Sequence, residues 1–353
     1  MRIGVPREVK DGEFRVAVAP QGARQLAASG NEVIVESGAG AGVGFSDDAY
    51  LEAKAGIGDP WDCDLVVKVK ELQESEYRKP RRGQLIFGFQ HFGPEPRLLD
   101  AALASGATFI AYETVGQAGA GLPILAPMSA IAGRLAVQVG AWCLQKHNGG
   151  SGVLLSGVDG VRPGNVVILG AGTVGANALA VAYGIGAKVS VFAKSTKRFP
   201  PLRRKFSAAD FRTETEALEK SLTEADLVIG GVLTPGQMSP KLISRTTLLR
   251  MQRGAALVDV GIDQGGIAET SRPTSHSDPI YIEEGVVHYC VPNMPAACAR
   301  TASLALEKAV LPFVFQLSTN RMDDALKTGI QVKDGKLTHE QLARDTGRGY
   351  SPP

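Results

Sequence analysis

The sequence predicts an α/β fold built as two doubly wound parallel-sheet domains, and three observations predict it. Short β-branched runs alternate with Ala- and Leu-rich amphipathic stretches from one end of the chain to the other, the pattern of parallel strands covered by helices. The 353 residues exceed the roughly 150 of an ordinary single domain. Glycine supplies 42 of them, well above the usual share of about 7% and without a collagen-like repeat, so many positions require tight turns or close backbone approaches.

In the first third, strands are expected at Arg2 to Val5, Glu32 to Glu36, Asp64 to Lys68, Leu85 to Phe89 and Thr108 to Tyr112, with helices at Gln21 to Ser29 and Arg97 to Ser105. From Pro127, apolar residues recur at helical spacing for about 18 positions, which predicts a long helix crossing between domains. A second series follows, with strands expected in NVVILG, KVSVF, DLVIGG, ALVDV and VVHYCV, and then another long helix from Ala296 to about Leu317. The remaining polar segment, Ser318 to Pro353, is too short for a domain and is expected to pack back on the first. The predicted division is therefore residues 1–127 plus 305–353 as one discontinuous domain, and 128–304 as the other.

Composition excludes several classes. With 44% hydrophobic and 21% charged residues, the chain can bury a large core and lacks the signature of disorder. A net charge of +2, from 38 basic against 36 acidic residues, argues against nucleic-acid or membrane-surface partners. Cys63, Cys143, Cys290 and Cys298 form no CxxC pair, so neither a metal site nor a disulfide framework is expected, and a reducing cytoplasm fits. No window approaches about 18 uninterrupted apolar residues, so a membrane span is not expected either.

Gly170-Ala171-Gly172-Thr173-Val174-Gly175 is a G-x-G-x-x-G that follows the strand NVVIL and opens a helical run. In that context it reads as a dinucleotide-binding (Rossmann) fingerprint. Gly170 permits the tight turn, Gly172 lets a pyrophosphate reach the backbone, and Gly175 lets helix and strand pack closely. About 20 residues on, an acid that binds the adenosine ribose hydroxyls is the rule; Ala193 stands there. Lys194, Ser195, Lys197 and Arg198 follow, supplying donors and positive charge suited to a 2′-phosphate. NAD(P)(H) is thus the expected cofactor, NADP(H) favoured, although such a basic run is also what a solvated loop looks like.

Three N-terminal residues look chemical: Arg15, Lys70 and His91. An Arg grips a carboxylate in two places, a Lys offers a compact charge to a carboxylate or carbonyl oxygen, and a His shuttles protons near neutral pH. Together they suit an oxo-acid. Singly, each reads equally well as an ordinary surface charge, a strand-end lysine or a structural histidine.

The segments IGVPREVKDGEFRVAVAP, VVKVKE, LAPMSAIAGRLAVQVGA, GAGTVG, ADLVIGGVLTPG, VDVGIDQGG, ETSRPTSHSDP and HYCVPNMP together resemble the alanine dehydrogenase family, which is related to the nucleotide-binding subunit of proton-translocating transhydrogenase. The resemblance runs over about residues 1 to 320. It implies an active site in a cleft between two domains and reversible oxidative deamination of a small L-amino acid, alanine by default, to a 2-oxo acid and ammonia. It assigns Arg15 and Lys70 to the substrate, His91 and Asp263 to catalysis, and Ser129, Thr173, Val232, Leu233, Asn293 and Met294 to the cofactor. It also implies a homo-oligomer, dimer or hexamer.

The chain departs from the family pattern at Ala193, at Leu72 where a Pro is usual, and at Gln90 and Phe92-Gly93-Pro94 on either side of His91. Two other readings stand beside the first. One is reductive condensation of a 2-oxo acid with a larger amine, as in relatives resembling opine and saccharopine dehydrogenases. The other is a non-catalytic, transhydrogenase-like nucleotide-binding protein, against which the joint presence of Arg15, Lys70 and His91 argues.

Overall fold

The computed structural model describes residues 1–116, 121–232 and 238–352. The chain divides into two compact units, Met1–Met128 with Cys298–Pro353, and Ser129–Ala297. The second boundary falls at Cys298 rather than at the expected 304/305. The reason is local: the helix Ala299–Ser318 is one continuous element and goes whole with the first unit.

In the first unit, β1 (Arg2–Val5), β2 (Glu32–Val35), β3 (Gly56–Ile57), β4 (Leu65–Val67), β5 (Leu85–Gly88) and β6 (Thr108–Ala111) form the parallel part of an eight-stranded sheet. Their spatial order is β6-β5-β4-β1-β2-β3, so the winding reverses between β1 and β4, where Ile3 pairs with Leu65. These strands read as unbroken apolar runs because helices cover both faces of such a sheet. Val66, Ile86, Phe92, Leu98, Leu99 and Phe109 form one of its cores.

The second unit carries β7 (Asn165–Leu169), β8 (Lys188–Phe192), β9 (Asp210–Arg212), β10 (Leu227–Gly230), β11 (Ala256–Asp259), β12 (Ile280–Glu283) and β13 (Val286–Tyr289). Their order is β12-β13-β11-β10-β7-β8-β9. Apart from the antiparallel edge strand β12, this is the doubly wound arrangement that reverses beside its first strand. Sequence periodicity did not indicate β9 and β12, short edge strands that mix polar and apolar positions and in which only Phe211 is buried.

The chain then returns to the first sheet. β14 (Ile330–Lys333) pairs antiparallel with β6, and β15 (Lys336–Leu337) pairs with β14. The turn between them is Asp334-Gly335, both at positive φ, 50° and 76°, the two-residue hairpin turn for which Asp-Gly is favoured. Val332, Leu337, Leu342 and Ala343 join the same core as Val66 and Phe109. Among the described residues no helix is long and apolar enough to cross a membrane.

Candidate active site

In open α/β sheets ligands collect beyond the carboxyl ends of the strands, at the point where the winding reverses. Arg15 lies in the loop after β1, Lys70 just beyond β4 and His91 just beyond β5. These strands are neighbours at the reversal point of the first sheet.

Arg15 is 2% exposed. Its guanidinium meets the carboxylate of Glu13 in two places, Nε to Oε1 at 2.7 Å and Nη2 to Oε2 at 2.5 Å, and its backbone N–H donates to the same carboxylate at 3.0 Å. Nη1 reaches Met128 Sδ at 3.2 Å. Glu13 therefore fixes the plane of the guanidinium, and it is an acid that reading by motif had passed over.

Lys70 and His91 share a platform. The Lys70 Nζ stands 6.0 Å from the centroid of the Phe89 ring, and the His91 imidazole is stacked on that ring at 5.7 Å with 4° between planes. Lys70 pairs with Glu71 at 3.3 Å, and Lys10 pairs with Glu71 from the other side. Burial raises the Glu71 carboxyl, but Lys70 and then the other nearby cations outweigh it and bring its pKa to about 2.

A carboxyl held below its ordinary value of 4.5 stabilises the fold above that pH and loses its contribution as pH falls toward 2. Glu71→Gln should therefore flatten the fall in stability between about pH 4.5 and 2, measured as melting temperature against pH. An unchanged slope would show that Glu71 is not held in this way.

His91 has a left-handed backbone, φ 46°, which is uncommon outside glycine and is found at functional turns. The Glu113 carboxylate holds it there, accepting the N–H groups of His91 at 2.8 Å and Gln90 at 3.1 Å. Although part of His91 faces solvent, its imidazole titrates below the ordinary 6.5: desolvation by the dense surroundings acts most, Lys70 next, and Glu71 opposes them. The direction also rests on Lys70, Lys10 and Arg15, which act even where the outer face is wet. A neutral imidazole near pH 7 can accept a proton.

In the second unit Ser129 lies in the helix Leu125–Cys143, the other expected cofactor residues follow the carboxyl ends of β7, β8, β10 and β13, and Asp263 follows β11. Gly170 has φ 105°, and a Cβ on Gly175 would stand 1.8 Å from the Gly170 carbonyl oxygen, so the turn and the tight helix–strand approach are both present. A Cβ on Gly172 would meet only Arg198 Nη1, at 3.7 Å. The backbone there is open at the start of the helix Thr173–Gly184, an arrangement that fits a pyrophosphate.

Val174 is buried, and its carbonyl lies where Gly133 leaves no room for a Cβ. Ala193 donates its N–H to the Arg212 carbonyl, while Lys194, Ser195, Lys197 and Arg198 are exposed. Asn293 has φ 56°, and Met294 is buried beside it. Ser129 and Val232 are half-buried; Leu233 lies outside the described residues.

Asp263 is exposed in the turn Ile262–Gln264. Asp259 ties down the ends of that turn, accepting from Gly261 N–H at 3.2 Å, Ile267 N–H at 2.7 Å and the Ser271 hydroxyl at 2.5 Å. Lys241 Nζ donates to the Gly266 and Ala268 carbonyls at 3.1 and 2.9 Å. Sequence reading had missed both. Among the described residues no cluster of three His, Cys, Asp or Glu side chains could hold a metal ion.

The second sheet and its glycine turn define a nucleotide-binding α/β protein, whose chain also builds the first sheet with ionisable groups at its reversal point. Residues 4–132 match the family model "Alanine dehydrogenase/PNT, N-terminal domain", and residues 136–340 match the corresponding C-terminal domain; the chain belongs to this family.

An alanine dehydrogenase of Halomonas elongata is 47% identical over 99% of this chain and 98% of its own length. That of Bacillus subtilis is 42% identical over 100% and 96%. A solved L-alanine dehydrogenase superposes with a TM-score of 0.95 at 42% identity, covering 98% of this chain and 99% of the other. A transhydrogenase from Sinorhizobium meliloti shares the fold, with a TM-score of 0.83 at 24% identity over 96% and 99%.

Proposed function

We propose that this protein catalyses the reversible oxidative deamination of L-alanine to pyruvate and ammonia, reducing a nicotinamide dinucleotide. The observation that carries the reading is the convergence of Arg15, Lys70 and His91 on the reversal point of one sheet, in a chain whose full-length relatives at 42–47% identity are alanine dehydrogenases. When bound, the nicotinamide supplies the hydride acceptor at C4 and, in reverse, the donor.

Arg15, held flat by Glu13, takes the substrate carboxylate. Lys70 holds the carbonyl oxygen in the amination direction. In oxidation the amine must lose a proton as the Cα hydride leaves, and water must then add to the imine. His91, neutral near pH 7, accepts protons from amine and water and returns one to the departing ammonia. Asp263 serves as the second acid/base.

NADP(H) is the favoured form. Ala193 removes the carboxylate that would repel a 2′-phosphate, no acid intervenes before Asp210, and the Arg198 guanidinium lies near Gly172. The protein acts as a homo-oligomer, dimer or hexamer. A reducing cytoplasm suits its four free cysteines, three of them buried.

The test is oxidation of NADPH and NADH followed in parallel with pyruvate and ammonium, with direct titration of both nucleotides. Ammonium-dependent oxidation and tighter NADPH binding are expected. Tighter NADH binding would overturn the NADP(H) assignment alone. Oxidation that requires a larger amine in place of ammonium would replace the reaction with a condensation.

A further inference from the structure

Behind Lys70 lies a cluster of ionisable groups that the reaction above does not use. Glu8 follows β1, Lys68 follows β4, and Glu76 closes the short turn Glu74–Glu76. Their side chains are 2%, 1% and 2% exposed. Lys68 Nζ stands 2.8 Å from Glu76 Oε2 and 3.6 Å from Glu8 Oε2, and Glu76 also accepts the Gln73 N–H at 2.9 Å.

Taking three charges out of water is costly, and the mutual attraction of the groups repays it only when further hydrogen bonds are made. The further bonds of Glu8 go to the backbone beside the site. Its Oε1 accepts the Val69 N–H at 2.6 Å, and its Oε2 accepts the Lys70 N–H at 3.3 Å. Glu8 therefore grips the turn that presents Lys70, whose own ammonium pairs with Glu71 and not with Glu8.

One ammonium is shared by two carboxylates, so one carboxylate is under-compensated. Burial raises the Glu8 pKa to about 7; Lys68 opposes it, and Glu76 and Glu13 reinforce it. The Tyr112 hydroxyl, buried without a hydrogen-bond partner among the described residues, has its own pKa raised chiefly by burial and further by the Glu8 charge. The groups that face Glu8 are thus Lys68, Glu76, Glu13 and Tyr112.

We propose that Glu8 is a positioning residue for Lys70: its ionised carboxylate draws in the two successive N–H groups and sets the reach of the Lys70 ammonium toward the substrate oxygen. The proposal rests on the reading of Lys70 as a substrate ligand. A protonated Glu8 is a weaker acceptor for both N–H groups, so the grip slackens as pH falls through neutrality.

The test compares wild type, Glu8→Gln and Lys70→Met in steady-state kinetics from pH 6 to 9, with melting temperature and NADH and NADPH affinity by fluorescence. Glu8→Gln should raise KM for the 2-oxo acid about tenfold, the value of one charge-assisted hydrogen bond, with kcat changed less and nucleotide affinity unchanged. The wild-type KM should rise as pH falls below about 7, and this dependence should vanish in Glu8→Gln. A folded Glu8→Gln with wild-type KM and wild-type pH profile would overturn the proposal. So would a parallel loss of kcat, KM and nucleotide affinity, the mark of a merely structural role.

If Glu8→Gln does not fold, Glu8→Asp replaces it. The shorter side chain keeps the charge but cannot span both N–H groups, so a raised KM with the pH dependence retained supports the proposal and a wild-type KM overturns it. A wild-type KM in Lys70→Met would instead remove the reading of Lys70 itself.

Discussion

His91→Ala is expected to lower kcat in both directions by roughly 10²- to 10⁴-fold, the usual worth of a positioned acid/base. The nucleotide should bind as before, because its expected contacts lie in the second unit while His91 lies in the first. The fold should hold as well: Glu113 grips the backbone N–H groups of Gln90 and His91, and both survive the substitution. Because desolvation and Lys70 push the imidazole below its ordinary pKa, the acid limb of kcat/KM for alanine oxidation should fall below pH 6.5 in wild type and be lost in the variant. Turnover within a factor of two of wild type, with every accepted substrate, would remove His91 from the mechanism.

Gly172→Ala and Gly175→Ala should separate binding from folding within one motif. Gly172 has φ −74°, a conformation open to any residue, and its added methyl would meet only Arg198 Nη1 at 3.7 Å. The variant should melt close to wild type. It should bind either nucleotide about ten- to a hundredfold more weakly, because the methyl takes space a pyrophosphate needs and weakens charge-assisted bonds worth about 1.5–3 kcal/mol. Gly175→Ala places a methyl 1.8 Å from the Gly170 carbonyl oxygen, so the backbone must move and the melting temperature should drop. Equal melting temperatures for the two variants, or unchanged affinity in Gly172→Ala, would contradict the assigned roles of these glycines.

The architecture was readable where period and length agree. The central strands β1, β4, β5, β7, β10 and β11 are buried on both faces and therefore appear as apolar runs. Edge strands such as β9 and β12 mix polar and apolar positions, and their pairing is a property of the sheet that no local window contains. The Asp334-Gly335 turn was a signal present in the sequence and passed over, because the strands it joins are short and set in a polar stretch.

The candidate site divides in the same way. Arg15, Lys70 and His91 are recognisable by residue type, and Gly170, Gly172 and Gly175 by spacing. Glu8, Glu13, Glu71, Glu113 and Asp259 act by gripping backbone or neighbouring side chains, and most of their partners are distant in sequence: Glu8 meets Val69, and Glu113 meets His91. A carboxylate whose partner is a backbone N–H leaves no trace in residue identity at the other end.

The return of the chain to its first unit has a consequence for how the site comes into being. The helix Ala299–Ser318 supplies Ser303 to the N–H of Val16 at 3.1 Å, and Glu307 to the N–H groups of Ala19 and Gly22 at 2.8 and 3.0 Å. These bonds fasten the loop that bears Arg15. During synthesis from the amino terminus, that loop and the edge of β6 wait for segments that leave the ribosome only after the whole nucleotide-binding unit has emerged. The unit with its contacts contiguous in sequence can close first, and the loop that bears Arg15 is sealed last.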